Sequence, residues 1–301
     1  MWPRVRDRPL RRRLHRERGE VVRRGHVQHP RLQGRAGCSV AFGELLLRGC
    51  GARRPRGIPV GAARPVGLAG CEPLVRWLIV NGDDFGASRG INRGIAEAHA
   101  RGILTSTSLL VDRPASEDAA ALARDHPNLS VGLHLELDAA GPERVAAVCE
   151  RQLARFLKLT GETPTHLDSH HDVHRDPGIL PHVLAQAGRE RVPVRGHSGA
   201  RHLGKFYGQW GGRTHPEQIG VEGLLRLLDT EVQDGVTELS CHPGHVEPEF
   251  RSSYVAEREV EVRTLCDARV RDGIRAREIQ LIGFRDLPGL AVPVAAPEGA
   301  A

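Results

Sequence analysis

Val75-Arg76-Trp77-Leu78-Ile79-Val80, followed at once by Asn81-Gly82-Asp83-Asp84-Phe85-Gly86, is the stretch that decides the fold. Its apolar centre, Leu78–Val80, is too short for a helix and reads as a buried strand that opens a domain. Two adjacent carboxylates then stand at the strand end. Neighbours in a regular strand face opposite ways, so Asp83 and Asp84 reach one site only if the backbone turns there. Keeping both ionised side by side is costly without a cation or strong hydrogen-bond donors.

Outward from this strand, Ser88 is placed to cap a helix that carries Ile91, Ile95 and Ala98 on one face and stops at Gly102. Further strands are expected at 103–111, 131–137, 165–169, 192–195 (a weak one), 236–241 and 279–283. Helices are expected between them at 116–124, 142–159, 181–189, 216–234 and 253–270, with 196–214 irregular. Seven strands, each followed by a helix or a long loop, predict an α/β protein with a mainly parallel sheet. The unusual polar residues fall at the C-terminal ends of several strands. That placement favours a seven-stranded (β/α) barrel, TIM-like and distorted, over an open doubly wound sheet.

Residues 1–75 are of a different kind. They hold 17 Arg, no Lys and five acidic residues, and show no helical or strand period, which reads as a disordered Arg-rich N-terminal extension. Their one apolar stretch, Val40 to Leu47, is interrupted by Gly43 and Glu44 and makes a poor signal peptide. An RNA-binding arm and a transit peptide are alternatives. The preferred reading is that Val75 or Leu74 is an alternative start and the extension an artefact of start-site assignment. The rest of the chain carries 26 basic and 32 acidic residues, so the body at 76–285 has no electrostatic reason to bind nucleic acid. No run reaches the roughly 18 apolar residues of a membrane span. Six Cys without paired spacing read as reduced thiols of a cytoplasmic protein. Residues 286–301 read as a flexible Ala/Pro tail, and the oligomeric state is open, with a homodimer among the options.

Three more clusters carry chemistry. In Gly132-Leu133-His134-Leu135-Glu136-Leu137, His134 and Glu136 share the face opposite three Leu, which would be the lumen of a barrel. Thr165-His166-Leu167-Asp168-Ser169-His170-His171-Asp172-Val173-His174 packs four His into nine residues of a chain that has 16 in 301. Such density suits a first-row divalent metal with carboxylate support, and Asp168 is placed to hold a ligand His through its other ring nitrogen. Glu238-Leu239-Ser240-Cys241-His242-Pro243-Gly244-His245 ends a strand with His242 on a tight turn, a candidate general acid. There is no nucleophile elbow, no GxGxxG and no Walker loop. The combination points to metal-assisted hydrolysis without a covalent intermediate.

Taken in order, Leu78 to Gly86, Gly132-Leu133-His134, Thr165 to His171, and Glu238 with Cys241-His242-Pro243 resemble the YdjC-like carbohydrate deacetylase family, which includes chito-oligosaccharide and hopanoid-pathway deacetylases. The resemblance spans residues 76–285. It implies a seven-stranded β/α barrel, one divalent metal, and removal of N-acetyl groups from glucosamine-type sugars. By motif, Asp84, His134 and His170 would be the metal ligands, Asp83 the base and His242 the acid. Asp168, His171, His174 and Glu238 would support the ligands or the substrate. The family implies Mg²⁺, whereas two imidazoles favour Zn²⁺ or another transition metal. Two departures bear on specificity: Asp172 replaces the third His of a His-His-His run, and the segment after His134 is short. Chito-oligosaccharide specificity therefore does not transfer. The competing readings are a metal-dependent phosphoesterase, against which the motifs' lack of Lys and Arg counts, and a non-catalytic carbohydrate-binding protein.

Overall fold

The computed structural model describes residues 75–137, 141–248 and 250–289. The readings made for residues 1–74 and for the tail beyond Gly289 lie outside the described residues. Strand β1 (Arg76–Phe85) is buried from Leu78 onward, as a central strand of a parallel sheet must be. Helix α1 (Arg89–Arg101) begins where expected, with Ser88 Oγ accepting the Ile91 N–H at 3.2 Å. Then come β2 (Ser106–Leu109), α2 (Ser116–Asp125), β3 (Ser130–Leu135) and α3 (Val145–Thr160), which ends at Gly161 with φ of 78°. After β4 (Leu167–Ser169) and α4 (Leu180–Glu190) the chain forms β5 (Ala200–Leu203). A small antiparallel hairpin follows, β6 (Gln209–Trp210) and β7 (Arg213–Thr214).

The last third alternates again: α5 (Pro216–Ile219), α6 (Val221–Thr230), β8 (Gly235–Cys241), α7 (Ala256–Cys266), α8 (Ala268–Ala276) and β9 (Ile279–Leu281). Two helices expected to be continuous are each broken in two. Gly220 interrupts the first, and Asp267 starts α8 by accepting the Arg269 N–H at 2.9 Å.

All ladders of the main sheet are parallel, in the order β4-β3-β2-β1-β8-β5. β8 pairs with β1 from Arg76 to Gly82, so β9 (at Arg76–Leu78) and β2 (from Asn81) share the other edge of β1 in succession. The result is a curled α/β half-barrel rather than the closed seven-stranded barrel expected from sequence. The difference lies at 192–204. The weak fifth strand makes one bridge, Val194 with Leu167 of β4, before Gly196, at φ of 70°, turns the chain. The strand beside β8 is instead β5, from a segment expected to be irregular. The gap between β4 and β5 is spanned by covalent chain, not by a ladder.

Alternation along the strands sorts the side chains into two layers. Leu78, Val80, Leu133, Leu135, Leu167, Leu239 and Cys241 join the main apolar cluster with the helices. On the inner face, Ile79, Ala200 and Val236 pack with Phe284 and Leu287 into a separate plug. Beyond that plug, the inner positions are polar.

Candidate active site

Continuing inward-facing alternation from Ile79 gives Asn81 and Asp83; from Val236 it gives Glu238. His134 on β3 and Asp168 on β4 sit opposite each other in the ladder and join them, all five buried. Alternation alone would turn Asp84 outward. Its backbone is left-handed, with φ of 67°, and the β1–β2 register slips between Gly82 and Phe85. Asp is one of the few residues that visits this region readily. The turn required to aim both carboxylates at one site is present.

Arg195 is the hub of the inner layer. It is 2% exposed. Its Nη1 and Nη2 donate to Asp83 Oδ2 and Oδ1 at 2.8 and 2.7 Å, and its Nε donates to Glu238 Oε1 at 2.7 Å. Nη2 also lies 2.8 Å from Asp168 Oδ2, close enough for strong attraction but too poorly aligned for a hydrogen bond. Burial opposes ionisation of Asp83, yet Arg195 outweighs it and holds that carboxyl well below the usual carboxylate range. Glu238, buried with Oε2 unpaired, is pushed up to about 7 by burial.

Around Asp84 the atoms are arranged differently. Oδ2 accepts from Arg258 Nη2 at 2.5 Å, while Oδ1 faces His134 Nε2 at 3.6 Å and His170 Nε2 at 3.9 Å. The other nitrogen of His134, Nδ1, meets Asp168 Oδ1 at 2.8 Å and Ser108 Oγ at 3.1 Å, which fixes its ring. Burial disfavours charge on His134, but Asp168, Asp83 and Asp84 together draw it up to about 9. One group of atoms here lies close enough together to hold a metal ion. Asp83, His134 and Asp168 present ligand atoms within 4.8 Å of one another. However, both oxygens of Asp83 are bound to Arg195, and Asp168 is shared between Arg195 and His134 Nδ1. Asp84 Oδ1, by contrast, lies 3.6 Å from His134 Nε2 and 3.9 Å from His170 Nε2.

His242 follows β8 with Nε2 3.9 Å from Asp83 Oδ2. Its backbone N–H donates to Glu261 Oε2 at 2.5 Å, and the Tyr254 hydroxyl donates to Glu261 Oε1. Burial lowers the His242 pKa and raises Glu261 to about 8. His171 lies tilted against His170, with ring centroids 3.7 Å apart and planes at 36°, and lines the cavity. His174 lies away from the cavity: Ser169 Oγ is 2.7 Å from its Nδ1, and its Nε2 is 3.2 Å from the Arg195 carbonyl, so it braces the turn that delivers Arg195. A cavity of about 620 Å³, lined by Asp84, His170, His171, Phe250, Ser252 and Arg258 among others, opens onto the centre.

Asp83, Asp84, His134, Asp168, His170, Glu238 and His242 thus converge. Sequence reasoning missed Arg195, Arg258, Tyr254 and Glu261. It also counted the motifs' lack of Lys and Arg against phosphate chemistry, whereas two arginines reach the site from outside the motifs. Both are taken up by carboxylates. Their only sequence signal is generic: acids that must be buried require cations from somewhere.

A family model described as YdjC-like protein matches residues 77–148 and 138–276. Carbohydrate deacetylases of Geobacillus stearothermophilus and Brevibacillus brevis are 36% and 34% identical, over 71% and 70% of this chain and 98% and 99% of theirs. The solved structure of an Enterococcus faecalis V583 protein named for cellobiose-phosphate cleavage aligns with a TM-score of 0.63 at 29% identity, covering 71% of this chain and 99% of that one.

Proposed function

The chain belongs to the YdjC-like protein family, and from that premise we propose that it is a metal-dependent hydrolase removing an N-acetyl group from an amino sugar or its conjugate. The observation that carries this reading is the meeting of Asp84 Oδ1 with two imidazole Nε2 atoms, beside an Arg-held Asp83 that faces His242.

A divalent ion fits these residues on two counts. One carboxylate and two imidazoles form a donor set of the kind first-row metals take, with His134 oriented from behind by Asp168. The charge balance also admits it. Asp83, Asp84 and Asp168 are all held ionised against two buried guanidinium groups, and the third positive charge is the proton these acids draw onto His134, the charge a bound cation would replace. Asp84, His134 and His170 would hold the ion, and Zn²⁺, Co²⁺ or Ni²⁺ suits them better than Mg²⁺. When bound, such an ion supplies Lewis acidity for the acetamide carbonyl and acidifies water.

The protein's own groups supply the proton transfers. Arg195 keeps Asp83 ionised and fixes both oxygens, so Asp83 can accept a proton from the attacking water in one orientation only. The carbon–nitrogen bond breaks as His242 delivers a proton to the departing amine, giving acetate and the free amino sugar. His242 Nε2 stands 3.9 Å from Asp83 Oδ2, so once the two close to hydrogen-bond distance the proton taken by Asp83 replenishes His242. Burial makes His242 reluctant to hold its proton, so it releases it readily to an amine.

The test is acetate release from a panel of N-acetylated mono- and oligosaccharides, with and without chelator, alongside a phosphate-release screen. Acetate release abolished by chelator and restored by a divalent metal is the expected result. Phosphate release without acetate release would favour the phosphoesterase.

A further inference from the structure

We propose that Tyr207 and the Trp210–His215 pair form an aromatic subsite on which successive sugar rings of an extended N-acetylated saccharide stack. The proposal rests on the N-deacetylase reading and adds to it where the substrate lies.

The chain has two Tyr and three Trp in 301 residues. Both Tyr meet at one place, the flank of His242. Tyr254 is buried, its hydroxyl accepting the Gly208 N–H at 2.9 Å and donating to Glu261. Tyr207 lies flat on it, with centroids 4.7 Å apart and planes 6° from parallel, and its ring is 5.7 Å from that of His242. Only one face of Tyr207 is covered by that stack, and the residue remains 37% exposed beside the reaction centre.

Three residues on, the β6–β7 hairpin carries Trp210. Its turn, Gly211-Gly212 at φ of 60° and 73°, has no atom within 4 Å of where a side chain would begin, so it stands clear of the body. The base is fastened: Gln209 Nε2 donates to the Ser253 carbonyl at 2.7 Å and to Glu257 Oε1 at 3.0 Å, next to cavity-lining Ser252. Trp210 stacks on His215 at 3.5 Å and 4°, yet stays 48% exposed. An exposed Trp braced flat by a second ring has its ordering cost met in advance, as a binding platform requires. The C–H faces of a pyranose complement the negative face of an aromatic ring, whereas the acidic body offers little to a polyanion. Three residues of chain separate Tyr207 from Trp210, which keeps their Cα atoms within about 11 Å of each other. Tyr207 would therefore receive the unit undergoing reaction and Trp210 its neighbour.

The experiment compares N-acetylglucosamine with tri-N-acetylchitotriose on the metal-loaded full chain. Affinity is read by calorimetry, as Kd where there is no turnover and KM where there is, with acetate measured in parallel. The trimer should bind wild type about tenfold tighter than the monomer. Trp210→Ala should erase that preference while leaving the monomer unchanged, and Trp210→Phe should keep most of it. A wild type that does not prefer the trimer, or a Trp210→Ala variant that keeps the preference, overturns the subsite. Tight trimer binding without acetate release overturns the deacetylase reading and leaves the subsite standing.

Discussion

Glu261→Gln separates a buried carboxyl's charge from its shape. Glu261 has no exposed surface and accepts from the Tyr254 hydroxyl and the His242 N–H. Burial raises its pKa from 4.5 to about 8, although both hydrogen bonds favour the anion. A carboxyl whose folded pKa lies above its unfolded value contributes stability fully present below pH 4.5 and lost as pH rises through 8. The slope between those limits approaches about 1.4 kcal/mol per pH unit, and the whole loss is of order 4–5 kcal/mol. Gln cannot titrate. At pH 5 the wild-type carboxyl is protonated, but its hydroxyl oxygen can still accept where the Gln amide nitrogen cannot, so the variant should be less stable there by up to about 1–3 kcal/mol, the cost of one orphaned buried donor. As pH rises that deficit should shrink and then reverse, since the wild type alone pays for the charge. Urea unfolding of both proteins at pH 5, 6.5 and 8 measures the difference directly, and Glu238, which titrates in both, cancels. Parallel stability profiles over this range would refute the reasoning.

Three further outcomes are expected. Asp83→Asn should lower acetate release by about 10²–10⁴-fold while leaving bound metal unchanged by elemental analysis, because Asp83 is engaged by Arg195 and is not in the proposed ligand set. His170→Ala should lose both metal and turnover; full metal occupancy in that variant would move the ion to the Asp83, His134 and Asp168 group. Arg195→Met leaves three carboxylates without their shared cation and should cost about 3–5 kcal/mol, which for a body of this size is a fall of roughly 6–20 °C in Tm by calorimetry.

Much of the fold was legible because its signals are local. Ser88, Gly161 and the apolar periods of α1 and α3 declare themselves within a turn of chain. The fifth strand was misplaced for a reason that is not local. Val192–Arg195 has strand composition, but Arg195 is drawn into a cluster of acids from β1, β4 and β8, and Gly196 then diverts the chain. Ala200–Leu203, with its Arg and His, looks unlike a strand until Arg201 Nη2 is seen donating to Thr237 Oγ1 on β8 and His202 Nε2 lying 2.9 Å from Ser240 Oγ. The hairpin at 209–214 has strands of two residues, below what any period can register.

The site divides along the same line. Adjacent Asp residues at a strand end, and four His in nine residues, are visible in sequence because a chain that ends strands in charge must have a use for it. What sequence states is the demand: three or four carboxylates cannot be buried in an inner layer without compensating positive charge. It does not state the supplier. A guanidinium reaches far from its own backbone, so Arg195 and Arg258 serve the centre from a failed strand and from α7, 112 and 174 residues from the acids they bind. The body holds many other arginines whose local sequence is indistinguishable from theirs. Only the topology, by bringing the 195 turn under β1 and β4 and α7 behind Asp84, selects these two. The charge they leave is met by the proton that Asp168, Asp83 and Asp84 draw onto His134, and that balance is a property of the folded cluster, not of any one motif.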